Sequence, residues 1–533
     1  MTAADVHADT AEAGDPALPA WFLSAAERGN DASALTPGST GNHVRVLVDG
    51  ADYFRALAAA LAGAGAGDLV LFADWQGDPD ELLTGAGPTI ADALTGAARR
   101  GAVVKGLVWR SPWDWQRLVP ERNRHLAQHV RGGAEVLLDQ RVRTLGSHHQ
   151  KFVVVRHTRR PQDDVAFVGS LDLAHSRRDD AAHDGDRQPM SFGRAYGRHP
   201  SWHDVHTEIH GPAVDDVETV FRERWDDRAP LSLLPWQLGS DLLRRLLRRP
   251  APLPARRAVP VAAAGSCAVQ LLRTYPRRRP RYPFAPDGEH SIAAGHAKAL
   301  RRARRLVYLE EQFLWSAEAV QVFADALRAS PRLQLVVLLP RRPKRGGIAA
   351  PPLLLGQVRA LEVLRAAGRD RVHVFDLENE QGDPVYVHSK VTVVDDVWAC
   401  VRSDNLNRRS SSHDSELSVA VLDAERDVRE PADPAGLGDG ARRFARDLRL
   451  RLLREHLGLP DGEDTDLLDP DRTVEALRRS ASALDAWHAG GRRGPRPPGR
   501  LRFHRDPVLP RWQQLLAAPA YRIVLDPSAP GHR

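Results

Sequence analysis

The sequence predicts an α/β protein built from two similar halves. Three observations carry this prediction. Strand-like and helix-like segments alternate from about residue 44, the alternation starts again near residue 266, and one short motif occurs once in each half. Alternating elements of this kind are typical of layered α/β folds. Two copies of one motif further predict two half-sites that meet to form a single site.

In the first half, apolar runs rich in β-branched residues alternate with alanine-rich runs of helical periodicity. The predicted order is strand 44–50, helix 51–64, strand 68–75, helix 91–101, strand 102–109, strand 205–211 and helix 213–225. The motif lies between the third and fourth of these strands. The first half is therefore expected to end near residue 225.

The second half repeats this alternation. Its predicted order is strand 266–276, helix 290–303, strand 305–313, helix 320–330, strand 333–340, helix 353–368, strand 372–378, strand 417–423 and helix 441–458. The second copy of the motif lies between the last two strands. The same order of elements around the same motif predicts that the two halves share one fold.

Chain length and changes in composition along the chain predict the domain boundaries. A chain of 533 residues is long enough for two or three of them. We expect a partly disordered N-terminal segment at 1–43, a first domain at 44–225, a Pro- and Arg-rich linker at 226–265, a second domain at 266–458 and a C-terminal extension at 459–533.

Charge and cysteine content exclude several classes of protein. The net charge of +6 permits phosphate-bearing partners without defining one. Two distant cysteines, Cys267 and Cys400, exclude a disulfide scaffold. The N-terminus does not read as a signal peptide, and no apolar run reaches the ~20 residues of a spanning helix. We expect a monomer in the cytoplasm or attached peripherally to a membrane.

The repeated motif places a histidine two residues before a lysine. Residues 148–155 read HHQKFVVV and residues 387–394 read VHSKVTVV; the matching sequels are FVGSLDL at 167–173 and CVRSDNL at 400–406. Only five of the 75 basic residues are lysine, and two of these, Lys151 and Lys390, belong to the motif. Arginine and lysine are not interchangeable where one compact charge must face a phosphate oxygen. Chance therefore does not explain the repeat.

Two histidines of this kind point to cleavage of a phosphodiester through a covalent intermediate. One imidazole would attack phosphorus and the other would protonate the leaving alcohol. Two lysines, with amide or hydroxyl donors, would stabilise the charge that develops on the non-bridging oxygens. We expect no cofactor and no metal, since His203 and His206 lack a third ligand in the sequence.

The motifs resemble those of the phospholipase D superfamily, whose signature is His-x-Lys, four residues, Asp, and then a Gly-Ser-x-Asn-like segment. The first copy matches at His149, Lys151, Gly169, Ser170 and Asp172, and the second at His388, Lys390, Asp395, Ser403 and Asn405. Segments 202–225 and 288–313 resemble the family as well, so the resemblance covers roughly residues 44–458. It points to the phospholipase D and cardiolipin synthase branch.

The resemblance implies two α/β/α sandwich domains related by a pseudo-twofold axis, with a single active site at their interface. It makes His149 the nucleophile and His388 the general acid, which later acts as the base that activates water. It assigns phosphate binding and support to the remaining matched residues, which are Lys151, Lys390, Ser170, Asp172, Ser403, Asn405 and Asp395.

Two carboxylates and three departures complete the expected site. The family places an acid just before a strand, where it accepts an imidazole N–H; the matching residues are Asp204 and Glu416. Arg156 stands where the first motif would have its Asp, and Arg402 replaces the Gly of the second segment. Asp172 replaces Asn, which is common among phospholipases D. We expect Arg156 to leave activity intact, and Arg402 either to narrow the pocket or to bind phosphate.

The leading hypothesis is a phospholipase D that hydrolyses a glycerophospholipid to phosphatidic acid and a free head group at a membrane surface. A cardiolipin synthase-like phosphatidyltransferase, in which an alcohol replaces water, uses the same motifs. A nuclease or another phosphodiesterase is the third hypothesis, but no basic stripe with stacking aromatics points to nucleic acid. Intact histidines and lysines in both halves argue against a non-catalytic binding protein.

Overall fold

The computed structural model describes residues 15–111, 120–144, 146–189, 196–243, 250–343, 350–522 and 526. The start of the predicted N-terminal segment, residues 1–14, lies outside the described residues. So do residues 244–249 of the predicted linker and the last residues of the C-terminal extension.

The described residues form eighteen strands. In chain order they are β1 (Ser39–Val48), β2 (Leu69–Asp74), β3 (Val103–Trp109), β4 (Glu135–Asp139), β5 (Phe152–Arg156), β6 (Val165–Gly169), β7 (Trp202–His203), β8 (Val205–His210), β9 (Cys267–Tyr275), β10 (Glu289–His290), β11 (Leu306–Glu310), β12 (Gln334–Leu338), β13 (Val372–Leu377), β14 (Tyr386–Val387), β15 (Val391–Val394), β16 (Trp398–Arg402), β17 (Glu416–Asp423) and β18 (Leu501–Phe503).

Fifteen α-helices are present in the same described residues. They are α1 (Leu18–Trp21), α2 (Ala25–Arg28), α3 (Asp49–Gly63), α4 (Ile90–Arg99), α5 (Pro120–His129), α6 (Ala213–Trp225), α7 (Pro235–Leu243), α8 (Ser291–Arg302), α9 (Gln321–Ala329), α10 (Ala350–Gly368), α11 (Arg408–Ser412), α12 (Arg443–Leu457), α13 (Thr465–Leu468), α14 (Pro470–Ala489) and α15 (Arg511–Ala520).

One mixed sheet of sixteen strands runs through the molecule, in the order β18-β13-β12-β11-β15-β16-β17-β9-β1-β8-β6-β5-β2-β3-β4, with β10 paired to β9. Outward from the central β1–β9 pair, the order β8-β6-β5-β2-β3-β4 on one side matches β17-β16-β15-β11-β12-β13 on the other. The two central strands pair antiparallel, as strands related by a twofold axis must. The predicted α/β fold with two similar halves is confirmed.

Helices cover both faces of this sheet. On one face of the first half, α3 and α4 bury Leu57 and Leu94 against Phe72 of β2. On the other face, α6 and α12 bury Phe221 and Leu448 in a shared core. Strands with both faces covered in this way read as continuous apolar runs, and all residues of β2, β5, β15 and β16 are buried.

Segments near both ends of the described chain pack against the second half of the molecule. Within the expected N-terminal segment, α1 begins at Leu18, and Trp21 donates its indole N–H to Asp439 at 3.2 Å. At the other end, β18 extends the sheet antiparallel to β13, with Phe375 opposite Phe503. The N-terminal and C-terminal segments therefore both add to the second half.

No helix among the described residues is long and apolar enough to cross a membrane. The domain limits stated above stay predictions.

Candidate active site

The two motif histidines lie in loops that precede equivalent strands, β5 and β15. Each loop pairs in parallel with a segment of the opposite half. The His149 amide donates to the Ser415 carbonyl at 2.9 Å, and the His388 amide donates to the His203 carbonyl at 2.8 Å. This symmetric exchange brings both motifs to the boundary between the halves.

Each imidazole contacts a carboxylate that belongs to the other half. His149 Nδ1 lies 2.9 Å from Glu416 Oε2, and His388 Nδ1 lies 2.7 Å from Asp204 Oδ2. A carboxylate at Nδ1 fixes the ring orientation and favours the tautomer with its proton on that nitrogen. Nε2 of each ring is then left with a lone pair that can attack or accept a proton.

The two motif serines hold these carboxylates. Ser170 donates its hydroxyl to Asp204 in a short contact, and Ser403 donates to Glu416 Oε2 at 2.5 Å. The Trp202 indole N–H also donates to Asp204 Oδ2, at 3.0 Å. Both serines are fully buried. Their geometry therefore fits the supporting part of the predicted role, because their hydroxyl protons are already engaged.

Both motif lysines are buried and anchored by the carbonyl of their own histidine. Lys390 Nζ donates to the His388 carbonyl at 2.7 Å, and Lys151 Nζ donates to the His149 carbonyl at 3.0 Å. Lys151 also lies 3.4 Å from Asp172 Oδ1. Burial lowers the pKa of Lys390 to about 8, even though Asp204 and Glu311 act against this shift. Two ammonium groups thus converge on a space with little water to screen them.

This environment keeps both imidazoles neutral when no anion is bound. Burial lowers the pKa of His149 well below its ordinary value, and Lys151 and Lys390 lower it further. Burial, Lys390 and Arg177 act in the same direction on the pKa of His388. A phosphate bound between the lysines would offset their charge, so the ability of an imidazole to hold a second proton would rise with substrate binding.

Asp172 and Asn405 occupy matching positions but have different partners. Burial would raise the pKa of Asp172, but Lys151 and Arg177 outweigh it and hold the pKa below its ordinary value. Arg177 Nη2 donates to Asp172 at 2.6 Å. Asn405 is 7% exposed, and within the described chain its Oδ1 has no hydrogen-bond partner. The Asn405 side-chain oxygen is therefore left without a donor among the described residues, whereas Asp172 is held in an ion-pair network.

The motif departures have structural explanations. Arg402 is fully buried and binds Glu311 at 2.8 Å and Asp404 at 3.0 Å, so the structure does not present it as a phosphate ligand. The sheet pairs Arg402 with Ser418, and it pairs Gly169 with His206 at the matching position. A Cβ on Gly169 would lie 2.6 Å from the His206 ring. In the first half the motif segment supplies the small residue, Gly169, and the strand opposite supplies the large one, His206. In the second half the motif segment supplies the large residue, Arg402, and the strand opposite supplies the small one, Ser418.

Asp395 and Arg156 lie at the far ends of their strands, away from the lysines. Asp395 accepts the backbone N–H groups of Arg304, Arg305 and Leu306 at 2.7–2.8 Å, which fixes the start of β11. Arg156 instead contacts three acidic residues, which are Asp164, Asp215 and Glu218. Neither residue touches the space between the two histidines.

Several residues near the site were not predicted. Trp202 packs on His388 with ring centroids 4.8 Å apart, and Arg177 lies over Trp202. Asp74 ends β2 beside Asp172; burial and the charge of Asp172 raise its pKa well above the ordinary value. Asp74 and the tryptophan stand outside the motif, but Trp202 precedes Asp204 by two positions. This two-residue spacing is the sequence feature that could have indicated a role for Trp202 beside Asp204.

Comparisons with known proteins identify related chains. A family model of phospholipase D matches residues 123–326, which include the first motif. Phospholipase D alpha 2 of Oryza sativa subsp. japonica is 25% identical over 462 residues, covering 67% of this chain and 54% of the relative. Phospholipase D beta 2 of Arabidopsis thaliana is 28% identical over 420 residues, covering 60% and 44%. The chain thus spans about half the length of these curated relatives.

Among solved structures, phosphatidylserine synthase of Haemophilus influenzae Rd KW20 aligns with a TM-score of 0.49 at 12% identity, covering 84% of this chain and 94% of that chain. The fold and the site define a protein with two equivalent α/β halves and a paired histidine–lysine site between them. With the matching family model and the plant relatives, these features support membership of the phospholipase D superfamily.

Proposed function

We propose that this protein is a phosphodiesterase of the phospholipase D type, which hydrolyses glycerophospholipids to phosphatidic acid and a free head group. One observation carries the proposal. Two imidazoles, each oriented by a carboxylate of the opposite half and neutral until an anion binds, lie beside two buried lysines. This arrangement suits a reaction in which a nucleophile and an acid act on the same phosphate.

In the first step, His149 Nε2 attacks phosphorus and the bond from phosphorus to the head-group oxygen breaks. His388 takes up a proton at Nε2 when the substrate phosphate offsets the lysine charges, and it donates this proton to the leaving oxygen, which departs as an alcohol. The products of this step are a phosphatidyl group on His149 and a neutral His388. Lys151 and Lys390 would bind the non-bridging oxygens, and the Asn405 amide could donate to one of them.

In the second step, His388 accepts a proton from water, and the water oxygen attacks phosphorus. The phosphorus–nitrogen bond to His149 breaks and phosphatidic acid leaves, while His388 has regained its proton. An alcohol in place of water would give transfer instead of hydrolysis. The geometry supports both outcomes equally, so the acceptor is a question for experiment.

A basic cavity near the first motif supports a lipid substrate. It has a volume of about 850 Å³ and is lined by Gly146, which shortly precedes His149, and by arginines and apolar residues that include Arg277, Arg281, Leu233 and Trp236. Leu233 and Trp236 are 56% and 54% exposed. Cationic and apolar groups side by side are suited to the boundary between lipid head groups and acyl chains.

Product analysis tests the proposal. The purified chain is incubated with vesicles of phosphatidylcholine, phosphatidylethanolamine or phosphatidylglycerol, with and without a primary alcohol. Phosphatidic acid without alcohol, and a phosphatidyl alcohol with it, would support a phospholipase D. A product formed only with an alcohol acceptor would instead identify a transferase. Cleavage of single-stranded DNA or of a nucleotide diester, with all lipids left intact, would contradict the lipid substrate.

A further inference from the structure

A second cluster of histidines and carboxylates lies behind the candidate active site. Asp49, His183, His203 and Glu455 each direct one potential ligand atom into a common space, and these four atoms lie within 4.8 Å of one another. His203 Nδ1 is 3.0 Å from Asp49 Oδ1 and 3.4 Å from Glu455 Oε1. His183 Nε2 is 3.3 Å from the same Glu455 oxygen.

Several polar atoms of this cluster make no hydrogen bond among the described residues, although His183 lies within ion-pair distance of Asp179 and Glu455. Asp49 is 2% and His183 is 0% exposed. Within the described part of the chain, Asp49 Oδ2 and both ring nitrogens of His183 make no hydrogen bond. Buried polar atoms are normally satisfied, so each exception calls for an explanation. Both residues also have left-handed backbone angles, with φ of 62° at Asp49 and 57° at His183, which non-glycine residues rarely adopt.

A further carboxylate supports His203 from the opposite side. Glu310 Oε2 lies 3.1 Å from His203 Nε2, while Glu310 Oε1 lies 3.0 Å from His456 Nε2 and accepts the Tyr308 hydroxyl at 2.5 Å. With both oxygens engaged, Glu310 is positioned to support His203 and not to bind a cation. A histidine that gives one ring N–H to a carboxylate and turns its other nitrogen to a metal is the usual arrangement in metal sites.

We propose that Asp49, His183, His203 and Glu455 bind one divalent first-row transition metal ion, with Zn²⁺ the best match. Two imidazole nitrogens and two carboxylate oxygens are ligands that Zn²⁺ takes in a four-coordinate site. Two carboxylates balance the charge of a divalent ion. Ca²⁺ does not suit the set, because it prefers six to eight oxygen ligands.

The proposed site has a structural role. Its ligands come from the start of α3, the loop before β7, β7 itself and α12, so one ion would tie the second half to the first. His203 is followed directly by Asp204, which contacts His388. The ion would fix β7 and support Asp204 in its position, while touching neither the substrate nor the two reacting histidines. The inference does not depend on the proposed hydrolysis.

Metal content and thermal unfolding test the site without any substrate. The full chain is dialysed against a strong chelator, equilibrated with Zn²⁺, Co²⁺, Mn²⁺ or Ca²⁺, and freed of excess ion by gel filtration. We expect about one Zn²⁺ or Co²⁺ per chain, a higher unfolding midpoint with metal, and visible Co²⁺ bands without thiolate absorption. A chain that binds none of these ions and unfolds at the same temperature throughout would overturn the proposal.

Variants locate the site. His183→Asn and Asp49→Asn should abolish the bound ion and the rise in midpoint. Glu310→Gln should weaken Zn²⁺ binding about 10- to 100-fold, as expected of a residue that orients a ligand. His373→Asn is the matched control, because His373 is a buried histidine that contacts Gln334 instead. Full Zn²⁺ retention by both folded ligand variants, or tight Ca²⁺ binding by the wild type, would contradict the assignment.

If either ligand variant fails to fold, the wild-type Co²⁺ spectrum remains decisive. Nitrogen and oxygen ligands give weak visible bands, whereas bands that include thiolate absorption would place the ion at Cys267 or Cys400 and overturn the proposed site. Both cysteines are buried.

Discussion

At the scale of single residues, the two histidines have matching contacts but different surroundings. The His149 side chain is 14% exposed and lies beside Trp75, with ring centroids 6.0 Å apart. The His388 side chain is 6% exposed and packs on Trp202. The more accessible histidine is the one that the family resemblance makes the nucleophile. Its Nε2 can therefore approach a phosphate with less rearrangement than that of His388.

The first prediction concerns the roles of these two histidines. His149→Ala and His388→Ala should each reduce turnover by at least about 10⁴-fold, because each removes a group without a substitute. Rapid quenching of His388→Asn with substrate should trap a phosphatidyl adduct, which peptide mass spectrometry should locate on His149. Thermal unfolding shows whether each variant is folded. An adduct on His388 would reverse the roles, and near-normal turnover of either folded alanine variant would rule out the two-histidine site.

The second prediction uses the titration of Lys390. Burial lowers its pKa to about 8, and an amine carries charge only below its pKa. As the pH rises through 8, Lys390 loses its proton and with it the attraction for phosphate. We expect kcat/KM to fall above pH 8, with KM rising more than kcat falls. Lys298 bonds to Glu27 far from the site, so Lys298→Met serves as a control that leaves the pH profile unchanged. A flat profile up to pH 10 would contradict this role.

At the scale of structural elements, the third prediction separates the motif Asp from its arginine counterpart. Asp395→Ala removes the acceptor of three backbone N–H groups at the start of β11, and the buried Leu306 N–H would cost about 1–3 kcal/mol if left unpaired. Arg156→Asp would add a fourth carboxylate to Asp164, Asp215 and Glu218. Both variants should unfold at lower temperature than wild type.

Neither residue reaches the lysines, so the rate of the folded fraction should fall less than about tenfold, or ~1.4 kcal/mol of barrier. Initial rates are measured beside thermal unfolding, at a temperature where each variant is folded. Arg156→Asp that keeps its stability but loses orders of magnitude in rate would mean that the arginine acts on the phosphate.

The order of the long elements could be predicted because their patterns are strong. Strands such as β2 and β15 are buried on both faces and therefore appear as unbroken apolar runs. Two-residue strands such as β7 and β14 have no such pattern, since their pairing is decided by the opposite half. The predicted first strand continued to residue 50, but Asp49 adopts a left-handed backbone and begins α3. Contacts from distant segments determine these local conformations.

Contacts between distant segments also limit how much of the site could be predicted from the sequence. The residues of the repeat could be predicted because type and spacing are both preserved. The support of Trp202 for Asp204 and of Arg177 for Asp172 could not, since these contacts arise only when loops fold over the sheet. The size exchange between Gly169–His206 and Arg402–Ser418 is likewise visible only in the strand register.

At the scale of the whole molecule, neither half holds a complete site. Glu416 of the second half contacts His149 of the first, and Asp204 of the first contacts His388 of the second. Burial and Asp414 raise the pKa of Glu416 well above its ordinary value. In the proposed reaction, the position of each imidazole therefore depends on how accurately the two halves are held against each other.

The fourth prediction tests this dependence. Asp204→Asn and Glu416→Gln keep the shape of each side chain but no longer offer a carboxylate to the imidazole of the opposite half. We expect kcat to fall about 10²- to 10⁴-fold with little change in KM. Asp423→Asn is the matched control, because Asp423 ends the same strand as Glu416 and contacts Ser266. An unchanged kcat in both folded variants would mean that the carboxylates serve folding alone.

The last prediction concerns how the molecule meets a lipid surface. Arg277 and Arg281 line the large cavity near the first motif, with side chains 66% and 56% exposed and long ion pairs to Asp287. A cation near an anionic membrane contributes about 1 kcal/mol to binding. Arg277→Gln with Arg281→Gln should therefore weaken binding to phosphatidylglycerol vesicles roughly 30-fold, or about 2 kcal/mol. Co-sedimentation at low ionic strength measures the change, and added salt should reduce the difference.

Arg55→Gln, which removes an exposed arginine on α3, should bind like wild type. If the double variant binds as tightly as wild type while Trp236→Ala does not, apolar insertion and not charge brings the cavity to the membrane.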